Sequence, residues 1–230
     1  MVSVRRRILE SASADLGNYV TDDMVFWLDG INNTFRGHDS ASEYWYDLSG
    51  NGHDFAIGSY NTWSDDHLTM YRGIATENAL PSDFKHTEIV FKNAGNETTT
   101  MMIFPHGNKY VCFFAHSTQA LAPNGSAGSY PRLSLADSWT DLHAVSFPRD
   151  YNAGTDLNKI YLDGQLATTT TASSGTWNNV QYKRIGGYSS LTDDPYKGNI
   201  YAIRLYNRVL TDAEILQNWY EDQRRFFGGN

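Results

Sequence analysis

The sequence predicts an all-β protein, an antiparallel sandwich of two sheets, and three observations support this. From about Met24 onward, short runs of apolar or alternating residues follow one another along the chain. Clusters of Gly, Asn, Asp, Ser and Pro separate these runs, as in chains of many short antiparallel strands. Almost no helical spacing lies between the runs, and strands without intervening helices form sandwiches instead of parallel α/β sheets.

Ten runs are expected to form strands. In chain order they read MVFWLDG, TEIVFK, TTMMIFP, KYVCFFAHS, PRLSLA, LHAVSFP, NKIYLDG, QLATTTT, YKRIGG and GNIYAIRLYN. Asp163 and Gly164 lie between two of them, and both tolerate a positive φ. A two-residue primed turn is therefore predicted to close a β-hairpin at this point.

A short helix is predicted near the C-terminus, and RRRILESASADL at the other end is compatible with a second. Thr211 and Glu214 have the spacing of a capping box, in which each side chain binds the backbone amide of the other residue. Ile215, Leu216 and Trp219 then form one apolar face. Gly228 and Gly229 mark the far end of this helix.

The composition excludes several classes of function. The 230 residues carry a formal net charge of −8, whereas nucleic-acid binding needs a clustered basic surface. The single cysteine, Cys112, lies in an apolar run and indicates a buried small residue, not a nucleophile. No stretch has the length and apolarity of a membrane span or of a secretory signal. No membrane insertion and no nucleic-acid partner are therefore expected.

The length suits one sandwich domain, which we place at about residues 18–222. Residues 1–17 are interpreted as an N-terminal appendage that contacts other proteins during assembly. Residues 223–230 are interpreted as a tail.

Three segments in this order resemble the laminin G-like, concanavalin A-like lectin–glucanase superfamily. They are DLSGNGHD at Asp47–Asp54, the strand around Trp139–Val145 with the YLDG hairpin Tyr161–Gly164, and GNIYAIRLYNRVLTDAEI at Gly198–Ile215. The resemblance implies a jelly roll whose last strand returns beside the first. It also implies that the final helix packs against the sandwich and closes it. The polar residues of that corner are then expected to hold it by hydrogen bonds: Arg204, Tyr206, Asn207 and Arg208.

Glycoside hydrolases that share this fold present paired carboxylates, and in one family a single strand carries them as E-x-D-x-E or E-x-D-x-x-E. The sequence does not contain that motif. EYWYD at Glu43–Asp47 lacks the middle acid, Glu88 stands alone in TEIVF, and the adjacent Asp65 and Asp66 point to opposite faces of a strand. We therefore expect a protein that is not an enzyme. A hydrolase or lyase with carboxylates dispersed over several strands is the alternative.

Structural Ca²⁺ is the one cofactor that the sequence suggests. The resemblance implies loops with oxygen ligands, and DLSGNGHD offers Asp47, Asn51 and Asp54 at a turn. Asp193 and Asp194 are further ligand candidates from outside this loop. The same residue types also favour a plain turn in which Asx side chains bind nearby amides.

Aromatic residues in polar loops predict a carbohydrate-binding surface. The candidates are Trp63, Trp177, Tyr188 and Tyr196, each close to Asn, Asp or Ser. Aromatic faces stack on sugar rings while neighbouring polar groups bind the hydroxyls. Alternatively, such rings fold back over the edges of the sandwich.

The combined interpretation is a non-catalytic carbohydrate-binding or adhesion module. YVTDDMVFWLDGINNT, residues 19–34, resembles the opening of superfamily members in phages and prophages of gut bacteria. That resemblance implies a virion protein, made in the cytoplasm and extracellular after lysis. The expected partners are a glycan or host-surface polysaccharide and, through the N-terminal segment, other virion proteins. A purely structural capsid or fibre subunit without a ligand is a third interpretation.

Overall fold

A computed structural model describes most of the chain. The described residues are 15–94, 101–106, 109–115, 120–123, 133–135, 139–148, 158–170, 182–187, 190–192 and 195–228. No helix among these residues is long and apolar enough to cross a membrane.

The described residues form sixteen strands and one helix. The strands are β1 Met24–Asp29, β2 Tyr44–Trp45, β3 Phe55–Ala56, β4 Thr62–Trp63, β5 Leu68–Met70, β6 Ile74–Leu80, β7 His86–Asn93, β8 Met101–His106, β9 Lys109–Ala115, β10 Ala120–Pro123, β11 Leu133–Ser134, β12 His143–Pro148, β13 Asn158–Leu162, β14 Gln165–Thr170, β15 Tyr182–Ile185 and β16 Gly198–Tyr206. The helix, α1, is Asp212–Phe226.

The strands assemble into two antiparallel sheets. In the first sheet the order is β14-β13-β12-β7-β16-β5-β4, and β1 also pairs with β16. In the second sheet the order is β11-β10-β9-β8-β15-β6-β3-β2. The predicted all-β jelly-roll sandwich is thereby confirmed, and the last strand does return beside the first.

All ten predicted runs contain a strand, whereas β2 to β6 and β10 were not predicted. Four of these six strands have only two or three residues, too few to show an alternation of their own. Such segments become extended because a neighbouring strand satisfies their backbone hydrogen bonds.

The main core fills the space between the sheets with aliphatic and aromatic side chains. Trp45, Phe55, Phe91 and Trp139 all have exposures of 0% within it. The rings of Phe91 and Trp139 stack with centroids 5.6 Å apart. Burial of this kind is the main free-energy term that stabilises a sandwich.

The local predictions at the hairpin and the helix start are confirmed. Asp163 has φ 50° and Gly164 has φ 75°, as a primed turn requires. Thr211 caps α1, and the reciprocal contacts with Glu214 complete the capping box. The helix continues to Phe226, so the predicted domain end at residue 222 falls inside it.

Helix α1 packs Ile215 and Phe226 against the first sheet, and buried charges also join the helix to the sheet. The guanidinium of Arg204 donates to Glu88 Oε2 at 2.8 Å and to the two oxygens of Asp222 at 2.9 and 2.6 Å. The side chains of all three residues are at most 4% exposed. Burial raises the pKa of Glu88, and the attraction of Arg204 opposes that rise. Arg204 therefore fixes the corner by hydrogen bonds, as expected.

The other predicted corner residues also take part. Tyr206 accepts a hydrogen bond from Asn218 Nδ2 at 3.0 Å, and Arg208 donates to both oxygens of Glu214. Asn207 contributes its backbone amide, which donates to Asp23 O at 2.8 Å.

The chain segment before β1 is attached to the same helix. Val20 N donates to Asn218 Oδ1, and the Asp15 carboxylate lies 2.9 Å from Arg224. Residues 15–17 therefore pack with the domain, although the predicted boundary assigned them to the appendage. The rest of the appendage, including most of the segment compatible with a helix, lies outside the described residues.

Candidate functional site

A groove of about 280 Å³ opens at the surface of the first sheet, where β5, β7 and β16 lie side by side. Asn199 of β16 is paired with Thr69 of β5 on one side and with Lys92 of β7 on the other. Met70, next to Thr69 in β5, and Phe91, next to Lys92 in β7, are fully buried in the sandwich. Because side chains alternate along a strand, the row of Thr69, Asn199 and Lys92 faces outward, with neighbours about 5 Å apart.

The complete lining combines polar side chains with one exposed ring. It consists of Thr69, Met70, Tyr71, Lys92, Asn93, Ala94, Lys197, Gly198 and Asn199. Tyr71 is 55% exposed and directly follows β5. Amides and a hydroxyl beside an accessible aromatic ring are the groups with which proteins bind polar, ring-shaped ligands.

A second exposed tyrosine extends this surface. Tyr60 is 55% exposed, and the pairing of Thr62 with Thr69 places it opposite Tyr71 across the β4–β5 hairpin. The guanidinium of Arg72 lies over the ring of Tyr60, 3.4 Å from its centroid. Asn61 holds the hairpin by accepting from the backbone amides of Tyr71 and Arg72.

Tyr196 supports the groove from inside the protein. Its side chain is 1% exposed, so the expectation that it contacts a carbohydrate at the surface is wrong. The hydroxyl donates to Lys92 O at 2.8 Å and lies 3.3 Å from Asn199 O, between the two strands of the groove. Burial raises the pKa of Tyr196 well above its ordinary value, which keeps the hydroxyl a donor.

Gly198 is required where β16 enters the groove. Its φ is 148°, and a Cβ there would lie 2.5 Å from Lys92 O and from the Tyr196 hydroxyl. A side chain at this position would therefore push apart the strands that form the groove.

Trp63 lies on the β4–β5 hairpin but points toward the interior. It is half-buried, its Nε1 donates to Ser42 O at 2.9 Å, and its ring meets the edge of Trp45 at 5.2 Å. This arrangement matches a ring that covers the edge of the sandwich. Trp177 and Tyr188 lie outside the described residues, and their role in binding stays a prediction.

The carboxylates of the loop predicted to bind calcium accept hydrogen bonds from backbone amides. Asp47 is fully buried, and its Oδ1 accepts from the amides of Trp27 and Ser49 while its Oδ2 accepts from the amide of His53. Asp54 accepts from the amide of Asp47, and Asn51 donates to Val25 O. Amide hydrogens thus point at three oxygen atoms of the kind that calcium prefers as ligands. These hydrogen bonds stabilise a turn, and calcium binding by this loop stays a prediction.

Two further observations bear on metals and on catalysis. Among the described residues, no group of three or more His, Cys, Asp or Glu side chains could hold a metal ion, and Asp193 and Asp194 are not described. The described lining of the groove contains no Asp, Glu or His. Glu88 on β7 and Asp222 on α1 line a cavity of about 10 Å³ between the sheet and the helix, room for a single water molecule. These carboxylates therefore cannot reach a substrate the size of a sugar.

Sequence reasoning missed the residues of the groove. The only available signal was the alternation in HLTMY, which places Thr69 and Tyr71 on one face if the segment is a strand. That Lys92 and Asn199 complete the same surface depends on strand pairing between distant parts of the chain.

Comparison with known proteins agrees with this architecture. The family model described as the concanavalin A-like lectin/glucanases superfamily matches residues 79–216. No curated protein sequence matches the chain significantly.

Solved structures with the same fold include carbohydrate-active proteins. A Trypanosoma rangeli sialidase in complex with sialic acid has a TM-score of 0.64 and 15% identity, over 96% of this chain and 38% of the sialidase. Domain 4 of AbnA, an extracellular arabinanase from Geobacillus stearothermophilus, in complex with arabinotriose, has a TM-score of 0.57 and 16% identity. That match covers 84% of this chain and 97% of the arabinanase domain. The chain thus spans well under half of the sialidase but nearly all of the arabinanase domain.

Proposed function

This chain belongs to the concanavalin A-like lectin/glucanase superfamily, and on that basis we propose that it is a non-catalytic module that binds carbohydrate in the groove at Asn199. The observation that carries the proposal is the row of Thr69, Asn199 and Lys92 beside the exposed ring of Tyr71. Hydroxyl, amide and ammonium groups supply directional hydrogen bonds to sugar hydroxyls. The ring supplies a flat apolar face for the C–H side of a sugar.

The comparisons support a carbohydrate-related role, but they do not identify the ligand of this chain. The sialidase is described in complex with sialic acid and the arabinanase domain in complex with arabinotriose. The groove is also supported from beneath by Tyr196 and Gly198, so its polar row is fixed before any ligand arrives. A preformed site loses less conformational entropy on binding.

A glycan array followed by titration calorimetry tests the proposal. The array should include bacterial capsular polysaccharides and mucin glycans, and the best ligand should then be titrated against the wild type and Tyr71→Ala. Loss of the stacking ring is expected to weaken binding about tenfold. Tyr220→Ala is the matched control, because Tyr220 is 60% exposed but lies on α1. The proposal fails if no glycan binds, or if Tyr71→Ala binds as the wild type does.

The alternative, a hydrolase or lyase with dispersed carboxylates, makes a different prediction. Acid–base cleavage of a glycosidic bond needs a pair of carboxyl groups beside the sugar, and the described lining of the groove offers none. We therefore expect no release of reducing ends from the bound glycan. If cleavage activity remains after the protein is repurified, the proposal of a non-catalytic module is wrong and the chain is an enzyme.

The setting is part of the same proposal. We place the module on a phage virion or a bacterial surface, where it binds a host polysaccharide and its first residues contact other virion proteins. The support is the resemblance carried by residues 19–34. Mass spectrometry of particles purified after lysis should detect the chain. Its presence in cell extracts but not in particles would contradict the virion setting.

A further inference from the structure

The polar row of the groove continues to the edge of the first sheet. Thr62 on β4 is exposed and pairs with Thr69, which is in register with Asn199 and, through it, with Lys92. The row of Thr62, Thr69, Asn199 and Lys92 therefore crosses four neighbouring strands. Three strand spacings amount to about 14 Å. Groups that can form hydrogen bonds thus follow one another in a line across the strands.

Two exposed tyrosines lie beside the outer half of this row. Tyr60 precedes and Tyr71 follows the two paired threonines by two positions, and each tyrosine is 55% exposed. The residues between them and the threonines, Asn61 and Met70, are at most 6% exposed. This alternation places both tyrosines on the same face as the threonines. Opposite residues of a hairpin have their Cβ atoms about 4.5–5.5 Å apart, so two neighbouring rings of one glycan chain can stack on the two tyrosines.

The ring of Tyr60 is held in place by its neighbours. The guanidinium of Arg72 lies 3.4 Å from the centroid of this ring, a cation–π contact. Asn61 Oδ1 accepts from the amides of Tyr71 and Arg72 at 2.9 and 3.1 Å and so connects the two sides of the hairpin. Tyr60 is 55% exposed with the guanidinium in place, so it still offers surface to a ligand. A ring that is ordered before binding loses less conformational entropy when the ligand arrives.

Resting on the proposed carbohydrate function, we propose that the ligand is an extended glycan chain and that Tyr60 forms a second subsite next to the one at Tyr71. The chain lies across the strands, with one sugar ring stacked on Tyr71 and the next on Tyr60. Hydroxyls of these rings bind Asn199 and Thr69 in the groove and Thr62 at the edge of the sheet. A single sugar fills only the subsite at Tyr71, so a stretch of polysaccharide binds more tightly than a monosaccharide.

Fragments of increasing length test this inference. The glycan that binds best on the array is cut into fragments of one to four sugar rings, and each fragment is titrated against the protein by NMR, which measures weak and strong binding alike. Affinity is expected to rise about threefold to tenfold when the second ring is added, the gain from one further stacking contact. A monosaccharide that binds as tightly as the longest fragment would contradict the extended ligand.

Two alanine variants connect the gain in affinity to the second subsite. Tyr60→Ala is expected to weaken fragments of two or more rings about threefold to tenfold and to leave the single ring unchanged. The unchanged single ring also shows that the hairpin keeps its structure in this variant. Tyr71→Ala is expected to weaken fragments of every length.

Two further variants are the controls. Tyr60→Phe keeps the ring and is expected to bind all fragments as the wild type does. Tyr44→Ala should also leave binding unchanged, because Tyr44 is 45% exposed but lies on β2 at the edge of the other sheet.

The outcomes separate this inference from the proposed function. If Tyr60→Ala binds the longer fragments as the wild type does, or weakens all lengths equally, the second subsite is wrong. The same holds if Tyr44→Ala weakens binding as much as Tyr60→Ala. In each of these cases the carbohydrate function stands as long as Tyr71→Ala weakens binding. If no fragment of any length binds, both fail.

Discussion

Arg204 joins the last strand to the helix through buried ion pairs. It bridges Glu88 on β7 and Asp222 on α1, and its guanidinium lies over the ring of Tyr19, 4.2 Å from the centroid. One cation therefore connects two strands, the helix and the segment that precedes β1. Sequence reasoning assigned Arg204 to this corner but could not identify the buried acids that it pairs with.

Replacement of Arg204 is expected to lower the free energy of unfolding far more than replacement of a partly exposed arginine in the same corner. Arg204→Met leaves Glu88 and Asp222 buried without their cation, and breaking such a pair costs about 3–5 kcal/mol. Arg208→Met is the control, because Arg208 pairs with Glu214 at 26% exposure, where about 1 kcal/mol or less is at stake. Urea unfolding of both variants measures the difference. If both variants lose a similar free energy of unfolding, the buried ion pairs of Arg204 stabilise the fold no more than the partly exposed pair of Arg208.

At the scale of elements, the turn of the β13–β14 hairpin packs closely against α1. The turn residue Gly164 lies directly under the indole of Trp219, and a Cβ on it would be 2.5 Å from Trp219 Cδ1. The sequence predicted both the turn and the helix, because each is encoded within a few residues. Their contact was not predicted, since it joins elements that are distant in the chain.

Alanine substitutions at two glycines separate this contact from backbone strain. Gly164 and Gly58 both have a positive φ, 75° and 67°, but nothing lies within 4 Å of a Cβ added to Gly58. Both variants lose about 1 kcal/mol through the left-handed backbone. Gly164→Ala should lose about 1–3 kcal/mol more, because the methyl group displaces the helix.

Calorimetric melting of the two glycine variants measures this difference in stability. Near-ultraviolet circular dichroism reports whether the environment of tryptophan changes in Gly164→Ala alone. Equal destabilisation with an unchanged tryptophan signal would mean that the turn and the helix are not in contact.

For the whole molecule, acid stability results from opposing buried groups. Burial lowers the pKa of His86 to about 3, and the charge of Arg208 acts in the same direction. Burial raises the pKa of Asp29 and of Glu88, against the attraction of their arginine partners. Between its folded pKa of about 3 and its unfolded value of about 6.5, His86 binds a proton only when unfolded. Its contribution therefore falls as the pH falls, while Asp29 and Glu88 contribute stability that is lost as the pH rises through their folded pKa values.

A histidine variant isolates one of these contributions. His86→Gln removes the titration but keeps a polar group near Ser146, whose hydroxyl lies 2.7 Å from His86 Nε2. The free energy of unfolding of the wild type should fall relative to the variant by up to about 1.4 kcal/mol per pH unit between pH 6 and pH 4. Urea titrations at several pH values give this slope. A constant difference would mean that His86 titrates alike in both states.

The sequence by itself determined the fold class, the primed hairpin turn and the capped C-terminal helix. Each of these follows from interactions within a few residues: alternation of side chains, tolerance of positive φ and the reach of a capping side chain. The motifs that resemble the superfamily were recognisable for the same reason, since each is a contiguous segment.

Only the tertiary structure decided which surface is a candidate site. In it, Thr69, Lys92 and Asn199 form one row with Tyr71 beside them. Tyr196, predicted to lie in a binding loop, is buried in the core. The physical reason is that the register of non-local strand pairs sets which side chains are neighbours, and burial is a property of the assembled sheets. Neither quantity is encoded in a local pattern of residues.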